Sequence, residues 1–406
     1  MSVDGRIASS GDSGVAFGER DSKTGGRSVR WQDNKRYLWM LGLAVPASAL
    51  LPSQLVYWTG IPLFWWSGVL VFFVIIPIID LIAGEDGHNP DESASEKLQN
   101  DRYYRWCTYL FLPIQFIGLI VSCWMWAYGE LGVVDKIGLA VTVGLVAGTG
   151  INAAHELGHR IEQHERWLAK IALSQTLYGH FFVEHNRGHH VRVATPEDPA
   201  SARLGEGVWT FVPRSTVLGL ISAWKLEAQR LRRKGRSVAS PTNALLHTWL
   251  LSAVLFGSLL VVFGWTIAPY LLLQAVVGFV LLEMVNYVEH YALLRETNER
   301  GKYVRCAPRH SWNSDRICTN IFLYHLQRHS DHHTHPGKRY QALLTCDDAP
   351  QLPAGYASMV MLAAIPPLWR RVMDPRVRAH YQGDLSRANI LPRKRDRILA
   401  RIGRNG

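Results

Sequence analysis

Six long apolar blocks dominate the chain, separated by charged or proline-rich stretches. A helix needs roughly 20 mostly apolar residues to cross the hydrocarbon core of a bilayer. Six stretches meet that length, at about 37–59, 61–83, 106–128, 137–157, 243–264 and 268–291. The first contains Pro46, Pro52, Ser53 and Gln54, which predicts a kinked or re-entrant entry in place of a straight helix. A further apolar stretch, "YASMVMLAAIPPLW" at 356–369, is too short and too proline-broken to span. It is expected to lie on the membrane face or beneath a cytoplasmic domain. The predicted fold is all-α: a polytopic six-helix membrane bundle with a helical cap on one side.

The polar stretches orient this bundle. Seven Lys/Arg precede residue 37 and thirteen lie in 159–242, whereas the short links between blocks one and two and between five and six carry none. Under the positive-inside rule both termini and the large loops face the cytoplasm. The net charge of +11 then reads as basic loops at an anionic membrane surface, not as a nucleic-acid footprint. Mean hydropathy is only −0.01, so much of the chain lies outside the bilayer. Residues 1–34 are Ser/Gly/Arg-rich with no apolar core of a signal peptide and read as a disordered cytoplasmic arm. Residues 35–390 form the membrane domain, and 391–406 a basic tail with a solvated or lipid-facing surface. The five cysteines form no C-x-x-C pair, which argues against a disulfide framework, a zinc ribbon or an iron–sulfur site.

Nine of the 17 histidines fall into four groups. "HELGH" holds His155 and His159, "EHNRGHH" holds His185, His189 and His190, "NYVEHY" holds His290, and "HSDHH" holds His329, His332 and His333. Residues four apart share a helix face, so each multi-histidine group can present at least two rings together. Blocks four and six both run toward the cytoplasm, and their histidines sit at that end. All nine rings can therefore meet at the inner mouth of one bundle. Nine imidazoles exceed one coordination sphere, which predicts two metals, and imidazole suits zinc, copper, iron and nickel. Five or four nitrogens per metal with room for dioxygen suits iron better than closed structural zinc. Glu156, Glu184, Glu289 and Asp331 each lie beside or between these histidines and are candidates to accept a ring N–H and fix its tautomer. "HELGH" also matches the zinc-protease pattern H-E-x-x-H, but a protease site would leave six histidines unexplained. His335, next to the last group, is left outside the ligand set.

The segments "NAAHELGHR", "EHNRGHHVRVATPEDPASARLGE", "NYVEHYALLRE" and "LQRHSDHHTHPGKRYQALL" resemble the four signature segments of the membrane alkane 1-monooxygenases. The resemblance extends over roughly 35–390. Three histidine boxes alone are shared with membrane fatty-acyl desaturases and xylene-type hydroxylases; "NYVEHY" and the text around the last box are narrower. Two departures are visible: Ala292 stands where the family commonly has glycine, and Arg160 where it commonly has lysine. The resemblance implies a bacterial inner-membrane enzyme with two non-haem irons on the nine histidines, inserting one atom of O2 into the terminal C–H bond of a medium- or long-chain alkane. It also implies rubredoxin as electron donor, reduced by an NAD(P)H-dependent reductase. No flavin, haem or C-x-x-C motif appears in the chain to supply electrons internally. An alkane has no polar handle, so it must be recognised by burial, worth about 0.8 kcal/mol per methylene. Trp58, Trp65, Trp66, Phe72, Phe73, Leu281 and Leu282 are candidate channel linings. A metal carrier is the reading of a different class, but transporters place ligands near the bilayer midplane, and these lie at one rim.

Overall fold

A computed structural model of the chain describes residues 33–402. Almost all of the predicted arm therefore lies outside the described residues. Among the described residues six helices are long and apolar enough to cross a membrane: Leu38–Thr59, Pro62–Ala83, Arg102–Tyr128, Val133–Gly158, Ala244–Phe263 and Trp265–His290, spans 1 to 6. Each coincides with a predicted block. Among the described residues there is no sheet, only isolated bridges such as Leu204 to Ile390.

The expected irregularity of span 1 is present. It alternates between 3-10 and α turns from Leu38 to Leu51, around Pro46 and Pro52, and ends on Gly60 at a φ of 68°. Span 2 carries a wide π turn at Val71–Ile75, just ahead of Pro77, whose missing N–H interrupts the regular ladder. This turn puts the adjacent Phe72 and Phe73 on the same interior cavity.

Spans 4 and 6 form the centre. In span 4, 89% of the most apolar stretch is buried, against 22% in peripheral span 5. Small residues permit the close approach: a Cβ at Gly148 would sit 2.7 Å from the Gly278 carbonyl oxygen, so the two backbones touch there. Around this centre Leu63, Ile78, Leu81, Ile82, Leu250, Val261 and Leu272 are exposed and form the lipid-facing surface.

The segments outside the spans build a cap at one end. The helix Val208–Arg233 carries exposed Trp209, Val217, Leu220, Ile221 and Trp224 beside buried Phe211 and Ser215, the pattern of a helix lying at a membrane interface. Tyr356–Ala363, the short apolar stretch, packs against span 6 with Tyr356, Met359 and Val360 buried. The cap is tied to the bundle by polar contacts. Asp80 at the end of span 2 accepts the Thr319 N–H at 2.8 Å, and Asn152 of span 4 donates to the Leu323 carbonyl at 2.6 Å. The described part of the C-terminal tail is joined to this cap. The Leu391 N–H bonds the Leu204 carbonyl at 3.1 Å, Lys394 Nζ bonds the Gly205 carbonyl at 2.6 Å, and Ile398 and Leu399 pack on the core. One side of the tail is thus docked, while Arg393, Arg395, Asp396 and Arg397 are exposed, in keeping with the expected solvated surface.

Candidate metal centre

The convergence at one end of the bundle argued from spacing takes a definite form. Nine ring nitrogens gather into two adjacent groups, His155, His159, His185, His190 and His332 in one, His189, His290, His329 and His333 in the other. His155 and His159 end span 4 and His290 ends span 6; the other six come from the cap. The groups touch through His190 and His333, whose ring centroids are 4.4 Å apart.

Spacing leaves open which two rings of the second box share a centre. His185 and His189, four apart, do not point to the same centre. The backbone from His185 to His189 is a π turn, whose i→i+5 hydrogen bonding widens the turn by a residue and so changes which side chains face together. His185 and His190 therefore share the five-ring group, with Nε2 atoms 3.0 Å apart, and His189 faces the other. Gly188 makes the turn fit, since a Cβ there would meet the Glu184 carboxylate at 2.6 Å and the Arg192 guanidinium at 2.5 Å. In the last box His329 and His333 do share a centre, at 2.9 Å between Nε2 atoms, whereas His332 crosses to the five-ring group.

The donor set fits a metal pair. Neighbouring Nε2 atoms are 2.9 Å (His155–His332), 3.0 Å (His159–His185), 3.1 Å (His290–His329) and 3.2 Å (His189–His333) apart. A metal–nitrogen bond of about 2.1 Å gives an edge of about 3.0 Å at right angles and about 3.4 Å in a tetrahedron. The nitrogen–nitrogen spacings therefore fit donors arranged at right angles better than the longer edges of a closed tetrahedral zinc site. Neutral rings are what a metal needs. Burial, reinforced by the neighbouring rings, holds His159, His185, His190, His329, His332 and His333 well below the ordinary histidine pKa.

The four candidate carboxylates behave differently from the expectation. Glu156 pairs with Arg160 at 2.8 Å, and Arg160 in turn holds the Gly337 and Lys338 carbonyls. Glu184 pairs with Arg192 at 2.6 Å. Asp331 accepts from His335 at 2.9 Å, Lys338 at 2.8 Å and the Leu344 N–H at 2.9 Å. These three neutralise cations and close loops; none bonds one of the nine rings, because adjacency along a helix directs a side chain to a different face. Glu289 does reach the cage. Its Oε2 lies 3.2 Å from His329 Nε2, the same edge length as between rings, so a carboxylate is available to the four-ring group. The carboxylate that orients a ring is Asp198, which sequence reasoning missed. It is buried, accepts from His189 Nδ1 at 2.9 Å and from Ser201 Oγ at 2.6 Å. Burial pushes its carboxyl up, but His189 and Ser201 outweigh that and hold it down at about 2. Nine residues from its partner, it lay in the quoted "TPEDPAS", where only the loop path brings it back.

Beside the cage is a small chamber lined by Asn152, His155, His185, Leu282, Glu289 and His329. It shares Asn152, Leu282, Val285 and Leu326 with an apolar cavity of about 60 Å3 between spans 1, 2, 4 and 6 and the helix Tyr356–Ala363. Phe72, Phe73, Leu281 and Leu282 line that cavity as expected. Trp58, Trp65 and Trp66 do not: Trp58 is exposed, Trp65 is packed in the bundle core and Trp66 lies against Gly138 of span 4. A helix rotates its residues by 100°, and the broken spans 1 and 2 hide from sequence which turn faces inward.

Ala292, the departure from glycine, has a φ of 66° and no exposed surface. It sits in the left-handed region just after the span 6 ligand, where its N–H bonds the Ala202 carbonyl at 2.9 Å and its carbonyl accepts from Asn389 at 3.0 Å. Glycine is common there for backbone reasons, not for substrate shape. Ala292→Gly should relieve about 1 kcal/mol of strain and raise the thermal midpoint of the detergent-solubilised protein, with a lowered midpoint counting against this reading.

Comparison with known proteins follows this geometry. A family described as fatty acid desaturase matches residues 137–363, a span that contains all nine histidines. An alkane 1-monooxygenase of Acinetobacter baylyi is 44% identical over 93% of this chain and 93% of its own length. Alkane 1-monooxygenase 1 of Alcanivorax borkumensis is 42% identical over 92% and 93%. The hydroxylase component of a Pseudomonas putida xylene/toluene monooxygenase is 28% identical over 55% of this chain and 60% of its own length. With the cage, the chamber and the apolar cavity in one bundle, the chain belongs to the alkane 1-monooxygenase family, within the fatty acid desaturase family.

Proposed function

We propose that this chain hydroxylates the terminal carbon of medium- to long-chain n-alkanes, using O2 and two electrons, at two irons held by the nine histidines. The observation that carries this reading is the apolar cavity ending at the nitrogen-rich chamber, which fits a substrate with no polar group. Its walls are aliphatic and aromatic apart from Asn152, Thr149, Thr319 and Tyr356, and no cationic side chain is placed to hold an acyl carboxylate. That favours an alkane over a fatty-acyl substrate, and the length of the match favours it over a xylene-type ring.

Iron bound in the cage would supply the binding and reductive activation of dioxygen. The chain's own residues do the rest. Leu282, Val285 and Leu326 hold the chain end at the neck between cavity and chamber, and the same apolar side chains exclude bulk water from the oxidising centre. Asp198 fixes the tautomer of His189 so that Nε2 stays available to the metal.

The electrons come from outside, since the five cysteines are free and four of them buried. Reduced rubredoxin, supplied by an NAD(P)H-dependent reductase, is the proposed donor. Salt-sensitive coupling would mark its docking on the basic cap. The proposed location is the bacterial inner membrane, with the cage and both termini on the cytoplasmic side, a reading supported by the basic loops.

The test is direct. Purified protein loaded with iron, given rubredoxin, its reductase and NADH, should convert octane or hexadecane to the 1-alkanol with about two irons per chain. An unsaturated fatty acid as the only product, or one zinc per chain, would overturn the reading.

A further inference from the structure

The hydroxylation proposed above consumes two protons: R–H, O2, two electrons and two protons give R–OH and H2O. The C–H and O–O bonds break, C–O and O–H bonds form, and the external donor supplies the electrons. The apolar cavity is a poor conductor of protons. A second cavity touches the cage and shares no lining residue with the apolar one. It is small, about 20 Å3, lies beneath the interfacial helix Val208–Arg233, and is lined by Tyr178, His180, Glu184, Ser215, Glu283 and Asn286 together with the ligands His185 and His189. It meets the reaction chamber at Phe181, His185 and Asn286.

Glu283 is the group here with no structural explanation. It lies on span 6 and is 3% exposed. Its Oε1 accepts the Tyr178 hydroxyl at 2.5 Å and the Asn286 amide at 3.3 Å, while Oε2 has no partner. No Lys or Arg lines the cavity with it. A carboxyl inside a membrane helix with no cation is costly and marks a functional path by default. Glu184 Oε2, on the same cavity, also lacks a partner, and its other oxygen pairs with Arg192. Arg192 lines an outer cavity with the exposed Pro196, Glu197 and Lys225. Pro199 is the residue the inner and outer cavities have in common, and about 20 Å3 beside several acceptors is room for a single ordered water.

We propose that Glu283 is the proton relay of the reaction, passing protons taken from solvent through this polar cavity to the oxygen atom that leaves as water. In each transfer the carboxyl O–H breaks toward the chamber, and the carboxylate recovers a proton from water on the outer side. Substrate and protons then reach the same chamber by separate routes, one apolar and one polar.

The inference rests on the hydroxylase reading, and the test separates the two. If the wild-type holoprotein makes no 1-alkanol, that reading fails. If it does, Glu283→Gln is compared with it in three measurements: iron content, proton uptake by an indicator dye when the dithionite-reduced protein meets O2, and the infrared band of a buried carboxylic acid in metal-free protein in H2O and D2O. The expected result is unchanged iron, proton uptake and alkanol formation slowed by about 10²-fold, and loss of a D2O-sensitive carboxyl band. Glu283→Asp should recover most of the rate. Proton uptake within twofold of wild type overturns the proposal. So does a variant that has lost its iron, because Glu283 would then serve only to hold the cage together.

Discussion

Replacing His329 with alanine is expected to remove one metal and with it the activity. His329 is one of only four rings in its group, it is buried, and its Nε2 is 3.1 Å from that of His290 and 2.9 Å from that of His333. Its loss breaks two edges of the cage at once and leaves Glu289 Oε2 without its ring neighbour. Outer partners of metal ligands alone are worth about 10- to 100-fold, so losing a ligand should cost at least 100-fold in alkanol formation. Metal analysis should fall from about two ions per chain to about one. The matched control lies six residues on. His335 is largely exposed and bonds Asp331, outside both groups. His335→Ala should keep its metal and most of its rate. Equal losses in the two variants would mean that the last histidine box acts as a whole and that the division into two groups is wrong.

The second large effect concerns chain length. Phe72 lines the apolar cavity but not the chamber, so it lies away from the reacting end, whereas Leu282 and Val285 line both. Phe72→Ala should lengthen the space at the far end and leave the chemistry untouched. The best substrate is expected to grow by about two carbons. Two further buried methylenes are worth about 1.6 kcal/mol, a shift of roughly 15-fold in the ratio of kcat/KM between the longer and the original alkane. Phe72→Trp should shift the profile the other way. Competition between alkanes of graded length, read by gas chromatography of the alkanols, measures both variants. A profile that moves in neither would place the chain end elsewhere.

Much of this was legible without coordinates. Apolar length alone located six spans, because a bilayer demands about 20 residues and tolerates few charges. Helix direction followed from counting spans, and with it the convergence of His155, His159 and His290 at one end. Ligand identity was also a local property, since neutral imidazoles in repeated short boxes have few other uses.

What the sequence left open depended on rotation and on loops. The i, i+4 rule left open which two of His185, His189 and His190 share a centre; the π turn, which Gly188 allows, pairs His185 with His190. The same rotation separates Phe72, on the cavity, from Trp65 and Trp66, which are not. Asp198 finds His189 only because the loop after the box folds back. Glu156, Glu184 and Asp331 look like partners of their neighbouring rings and prove to bond cations. Composition and spacing by themselves determine that nine nitrogens collect at one rim of a six-helix bundle, because burial and span length are properties of short segments. Which nitrogens share a centre, which carboxylate serves them and which wall the substrate meets are decided by the tertiary structure, because each depends on side-chain directions that only packing sets.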